Sequence, residues 1–314
     1  DDLGTDGDPG WHDRLELLLR CLRDEARLGA WGTVSNHGLV VQLVRNRLLL
    51  TDLLARHPEI HDVPVERPII ILGLPRTGTT HLHNVLAADP ALRSLPYWES
   101  LQPIVAPGAL DERMVATEFA LDIVNRTMPL FVRMHEMTPA HAHEEIQLLA
   151  IDMSSMLFET TAPMPSWRDH FLGRDQTPSY RYLRTVLQAL TWLRGGDRWV
   201  LKTPQHLEQI PALLAVFPDA TFVVTHRDPV AVTGSVLTML AYAARMATDH
   251  PDPLEVAGYW APRIEQLLGA CLRDHELLPA ERTVHVRLED LVADDAAVVR
   301  RIYAAAGQPL DDRA

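Results

Sequence analysis

Leucine, valine and other apolar residues recur at spacings of three and four along Asp13 to Leu28 and again along Leu39 to His57, which predicts two amphipathic helices. Together they would form an N-terminal helical layer over residues 1–60. The pattern then changes. Short β-rich runs occur at Ile69 to Leu72, Trp199 to Leu201, Phe222 to Thr225 and Val284 to Val286, and each feeds a turn or a helix. Such alternation predicts an α/β fold, with a mostly parallel central sheet flanked by helices and ligands bound outside the carboxyl ends of the strands. Residues 90–195, between the first two runs, read as a helical, loop-rich insertion. The expected organisation is one domain over residues 1–314: the helical layer, a first strand–turn–helix unit at 66–90, the insertion, and a second half from 196 to the end.

Composition narrows this picture. A chain of 314 residues with 47% hydrophobic content can bury one large core. The net charge of −13 argues against general nucleic-acid binding and requires any anion site to be a local cluster of cations. No apolar run approaches the roughly 18 residues of a membrane-spanning helix. Cys21 and Cys271 are the only cysteines, so no disulfide framework is expected; two buried thiols in a reducing compartment are. The N-terminus shows no signal-peptide pattern, and a cytoplasmic location is expected. The chain starts at Asp1 without Met, as a trimmed polypeptide would.

The most informative segment is Arg67-Pro68-Ile69-Ile70-Ile71-Leu72-Gly73-Leu74-Pro75-Arg76-Thr77-Gly78-Thr79-Thr80, an apolar run that breaks into a Gly/Pro turn and a Thr-rich helix start. It reads as an anion cradle. Amides at a helix N-terminus lack intrahelical partners and the macrodipole there is positive, so the turn suits a phosphate that Arg76 neutralises. Gly73-x4-Gly78 has the glycine spacing of a nucleotide-triphosphatase P-loop, but Thr79 stands where that motif needs Lys. PRTGTT instead resembles the 5′-phosphosulfate loop of sulfotransferases that use 3′-phosphoadenosine 5′-phosphosulfate (PAPS). A plain structural turn remains the alternative for this segment alone.

Three further segments carry the resemblance. Phe217 to Ser235 is similar to that family's 3′-phosphate segment, FPxAxhhxxxRxPxxxxxS with h apolar, and supplies Arg227 at a strand end and Ser235 in the helix behind it. Both could reach one phosphate, unless Arg227 merely pairs with Asp228. Trp199 to Leu207 resembles the bacterial WVLK[ST]PxHL segment and implies Lys202 as a second cation near the transferred group. His206 stands four residues after Lys202, whereas the base of the animal cytosolic branch stands two after, so His206 is either a base or a capping or packing residue. Val284 to Leu291 looks like the late strand and helix of the family, with an architectural role. The resemblance, to the bacterial branch, runs from about residue 66 to the end, and implies a P-loop-like sulfotransferase fold whose 90–195 insertion forms the acceptor side.

The same resemblance implies sulfonate transfer from PAPS to an acceptor hydroxyl, with no metal. Arg76 and the amides of Thr77, Gly78, Thr79 and Thr80 would hold the phosphosulfate; Arg227 and Ser235 would hold the 3′-phosphate. Candidates for the base are Glu144 and Glu145, favoured as a pair, then Glu99 and His206. His135, His141 and His143 beside the glutamates also admit a metal reading, but no H-E-x-x-H arrangement or cysteine completes such a site. Met153, Met156, Leu157, Phe158, Met164, Trp167 and Phe171 are expected to be mostly core; any part lining the cleft would favour an elongated apolar alcohol or lipid over a sugar. The alternatives are a P-loop kinase or triphosphatase, and a non-catalytic nucleotide-binding protein on the same fold.

Overall fold

The computed structural model describes residues 10–135 and 137–309. Strands β1 (Ile69–Leu72), β2 (Val200–Lys202), β3 (Thr221–His226) and β4 (Thr283–Arg287) form one sheet in the order β2-β1-β3-β4, and every neighbouring pair is parallel. Their carboxyl ends therefore share one edge. The register sets Ile71 of β1 beside both Lys202 and Val223, and His226 beside Arg287, so the residues that follow each strand converge there.

β1 is uninterruptedly apolar because helices cover both faces of the sheet. Its side chains alternate between two cores. Ile70 and Leu72 join the larger one, with Leu201, Phe222 and Val224, while Ile69 and Ile71 pack on the other side against Leu82, Leu86, Val298 and Ile302. Between β1 and β2 the chain forms a series of helices, from Tyr97–Leu101 to the long helix Thr177–Arg194.

The N-terminal layer has different bounds from those predicted. Its helices are Trp11–Asp24 and Ala30–Arg56, and Leu18, Cys21, Leu43, Leu50, Leu53 and Leu54 bury their inner faces in the larger core. The second helix starts well before Leu39 although Trp31 to Gly38 has no apolar period. Tertiary contact supplies the reason: a Cβ at Gly32 would overlap the Ala247 carbonyl, so only glycine lets the helix approach this closely, and Gly29 N–H donates to the same oxygen at 2.9 Å. The cysteine expectation needs one correction. Cys21 is buried, which with Glu25 beside it pushes the thiol up to about 11, but Cys271 is only partly covered at the outer edge of the core.

Two buried charge clusters stitch the insertion to its surroundings. Arg263 donates to Glu159 at 3.1 Å and grips Glu208 with two bonds of 2.7 and 2.8 Å, joining the helix Pro253–Asp274 to the insertion and to the turn after β2. Asp152, which ends the insertion helix Ile146–Ile151, receives Arg14 and Arg47 at 3.0 Å each from the N-terminal layer. Removing one partner of such a cluster leaves an uncompensated buried charge. Arg263→Leu is therefore expected to lower stability by about 3 to 5 kcal/mol, read as a lower urea midpoint. Arg126→Leu, whose pairing with Asp122 is solvent-exposed on both sides, should cost less than about 1 kcal/mol.

Candidate functional site

The loop after β1 is shaped by its neighbours. Gly73 passes directly over β3, where a Cβ would overlap the Thr225 hydroxyl. Thr77 Oγ1 lies 2.7 Å from both the Leu74 carbonyl and Thr225 Oγ1, which ties the loop down. Left-handed backbone at Arg76 (φ 71°) and Gly78 (φ 88°) then curls the chain into the helix Thr79–Ala87. No side chain caps that helix, so the amides of its first turn remain open to an anion.

A left-handed arginine is strained and needs outside support. Arg76 receives it from the segment Arg227 to Ser235. Arg227, just beyond β3, donates from Nη1 to the Arg76 carbonyl at 2.8 Å, and Arg76 Nε donates to Ser235 Oγ at 3.2 Å. A third bond runs from Arg76 Nη1 to the Met134 carbonyl. Asp228 does not compete, because its carboxylate caps the helix Pro229–Ala243 through Val230 N–H. Thus Arg76, Arg227 and Ser235 form one cluster.

Lys202 ends β2 with its side chain almost wholly enclosed and its ammonium paired to Glu144. The two adjacent glutamates have different surroundings. Glu144 keeps 20% of its side chain exposed and lines a cleft beside the loop. Glu145 is buried; one oxygen accepts Lys202 N–H at 2.8 Å and the other meets His206 Nε2, whose Nδ1 lies 2.8 Å from the Tyr180 hydroxyl. Burial opposes ionisation of Glu145, but the His206 charge and hydrogen bond and the Lys202 amide outweigh it and hold the carboxyl below its ordinary range. Glu99 lies apart from this group: its buried carboxylate is shared between Arg93 at 2.6 Å and Arg194 at 2.8 Å, and it does not line the cleft.

The cleft measures about 300 Å³. Arg76, Thr79 and Thr80 close its polar end together with Glu144, and Met137, Met239 and Trp260 are among its apolar walls. Of the methionine-rich stretch, Met153, Phe158, Met164, Trp167 and Phe171 are core, while Met156 and Leu157 reach the cleft. His135 and His143 also line it, and burial lowers both, His143 far below its usual value, so they are neutral at pH 7. His143 Nδ1 shares a 3.0 Å hydrogen bond with His141 Nε2. Sequence reasoning did not find Tyr97, Met137, Met239 or Trp260, since four separate segments contribute them. Thr225 was more accessible: a hydroxyl near the carboxyl end of a buried strand opposite a Gly-x4-Gly loop is a signal for a tether.

Residues 68–312 match the model of the sulfotransferase family. The chain is 26% identical over 263 residues to omega-hydroxy-beta-dihydromenaquinone-9 sulfotransferase Stf3 of Mycobacterium bovis, and equally to that of Mycobacterium tuberculosis. Those matches cover 78% of this chain and 64% of each relative, so the chain spans less than two thirds of their length. Sulfotransferase STF1 from Mycobacterium tuberculosis H37Rv superposes with a TM-score of 0.83 at 30% identity, over 100% of this chain and 87% of that one. STF9 from Mycobacterium avium superposes with a TM-score of 0.85 at 29% identity, over 98% and 80% of the two chains. The family match takes in the loop after β1, Lys202, the Arg227–Ser235 unit and the last strand, and the chain belongs to the sulfotransferase family.

Proposed function

We propose that the protein transfers a sulfonate group from PAPS to the hydroxyl of an apolar acceptor. The supporting observation is the cluster of Arg76, Arg227 and Ser235, which unites two phosphate-type segments at adjacent strand ends and opens on a cleft holding Glu144. A 5′-phosphosulfate fits the glycine-gated loop and its uncapped helix, and the donor set for a 3′-phosphate stands beside it. PAPS supplies the sulfonate: its S–O bond to phosphate breaks as a new S–O bond forms at the acceptor oxygen.

Each residue then has a distinct task. Arg76 and the amides of Thr77 to Thr80 hold the phosphosulfate, and Arg227 with Ser235 holds the 3′-phosphate. Lys202 stabilises charge growing on the oxygen that leaves. Glu144 takes the acceptor proton, because it is the carboxylate of the pair that faces the cleft. Glu145 and His206 position Lys202 from behind and stay out of the proton transfer. The apolar walls match an acceptor of lipid character, in line with the hydroxylated dihydromenaquinone for which Stf3 is named.

Nucleotide binding tests the donor assignment. PAPS and adenosine 3′,5′-bisphosphate should bind far more tightly than ATP or adenosine 5′-phosphosulfate in calorimetry, and Arg227→Ala should cost about 2 to 5 kcal/mol of that affinity. Equal affinity for nucleotides lacking the 3′-phosphate would overturn it.

Turnover of PAPS against a panel of hydroxyl compounds tests the base. Glu144→Gln should keep nucleotide affinity and lower kcat about 10²- to 10⁴-fold. Glu145→Gln should instead lower the thermal midpoint, since it weakens a buried charge-assisted pair with His206. Normal kcat in Glu144→Gln with a severe loss in Glu99→Gln would move the base elsewhere.

A further inference from the structure

The cleft does not end at its apolar wall. A groove of about 380 Å³ adjoins it, and Tyr97, Phe131, Met137, Thr160 and Ala243 line both. The groove lies between the helices Ala30–Arg56 and Arg113–Thr127, with Leu39, Leu121, Val124, Met128 and Met246 on its sides. No charged side chain lines it among the described residues.

Its few small polar side chains are already engaged within their own helices. Ser35 Oγ and Asn36 Nδ2 donate to the Gly32 carbonyl at 3.1 and 2.9 Å; Thr160 and Thr161 donate to the Leu157 and Phe158 carbonyls at 2.6 and 2.8 Å. Among the described residues the groove therefore offers mainly hydrocarbon contact, with the Tyr97 ring where it joins the cleft, and its methionines can repack around a chain. A second branch of about 260 Å³ also meets the cleft at Thr160, but Glu25, Arg27, Asp252 and Glu255 line that one. Desolvating those charges disfavours a hydrocarbon there.

Charge thus sits at one end of the path and apolar surface at the other. We propose that the groove between Ala30–Arg56 and Arg113–Thr127 holds the body of the acceptor, so that the protein selects a hydroxyl at the end of an extended hydrocarbon chain. This rests on the sulfonate-transfer reading. Leu121, Val124, Met128 and Met246 are then specificity-determining residues, and chain length is what they measure.

The experiment follows binding and turnover separately. With adenosine 3′,5′-bisphosphate present, butanol, octanol and dodecanol displace a pyrene-labelled long-chain alcohol, followed by fluorescence; the same alcohols are then tried as acceptors with PAPS. Affinity should rise by up to roughly fourfold per methylene, the fold-change that corresponds to about 0.8 kcal/mol. Val124→Glu and Met246→Glu, on different elements, should each flatten that rise while leaving butanol and nucleotide binding unchanged. Val124 is half-exposed and accommodates the carboxylate, and unchanged nucleotide affinity reports an intact fold. Length-independent binding in the unaltered protein, or a length dependence that both variants retain, would overturn the groove assignment. Length-dependent binding that the variants abolish, with no sulfonate transferred to any alcohol, would leave the groove standing and overturn the transfer reading. Transfer with equal kcat/KM at all lengths would do the reverse.

Discussion

Glu145 is a buried carboxylate whose two oxygens hold two different elements. One receives the main-chain N–H of Lys202 at the end of β2, and the other meets His206 in the turn that follows, with Tyr180 of the insertion behind it. A charge in such a place is stable only when every lone pair is used. The consequence is positional. The insertion cannot shift relative to the sheet edge without exposing or unpairing Glu145, so Glu144, one residue earlier, is delivered to the cleft beside the Lys202 ammonium.

The loop after β1 depends on a similar exchange of support. Its left-handed turn at Arg76 costs backbone energy that the segment alone does not recover. Arg227 and Ser235 supply the compensating hydrogen bonds from beyond β3. Because β1 and β3 are adjacent and parallel, two segments about half the chain apart meet at the same height, and each helps shape the other. Cations gathered there give a local positive field within a chain whose net charge is −13.

Buried ion clusters extend this logic outward. Asp152 links the insertion to both N-terminal helices, and Arg263 of the helix Pro253–Asp274 joins Glu159 of the insertion to Glu208 in the turn after β2. Since Glu159 belongs to the same short helix as Thr160 and Thr161, this cluster also anchors the junction where the cleft divides. The helix Leu157–Thr161 is thus shared by the buried ion cluster and the apolar groove.

The amino-acid sequence by itself determined the parallel sheet, the glycine-gated turn and the cations that follow the strands. These are local properties: an apolar run covered on both faces, a turn only glycine permits, and side chains fixed in place by strand geometry. It also determined membership of the family, through segments whose order and spacing survive without knowledge of contacts. Only the tertiary structure set Glu144 at the cleft and buried Glu145 behind it, since adjacent residues of one type differ solely in what surrounds them. It likewise extended the second helix across Trp31 to Gly38, where close packing on Ala247 outweighs a weak pattern, and assembled the cleft walls from Tyr97, Met137, Met239 and Trp260. Burial and proximity are properties of the folded chain, and no period along the sequence encodes them.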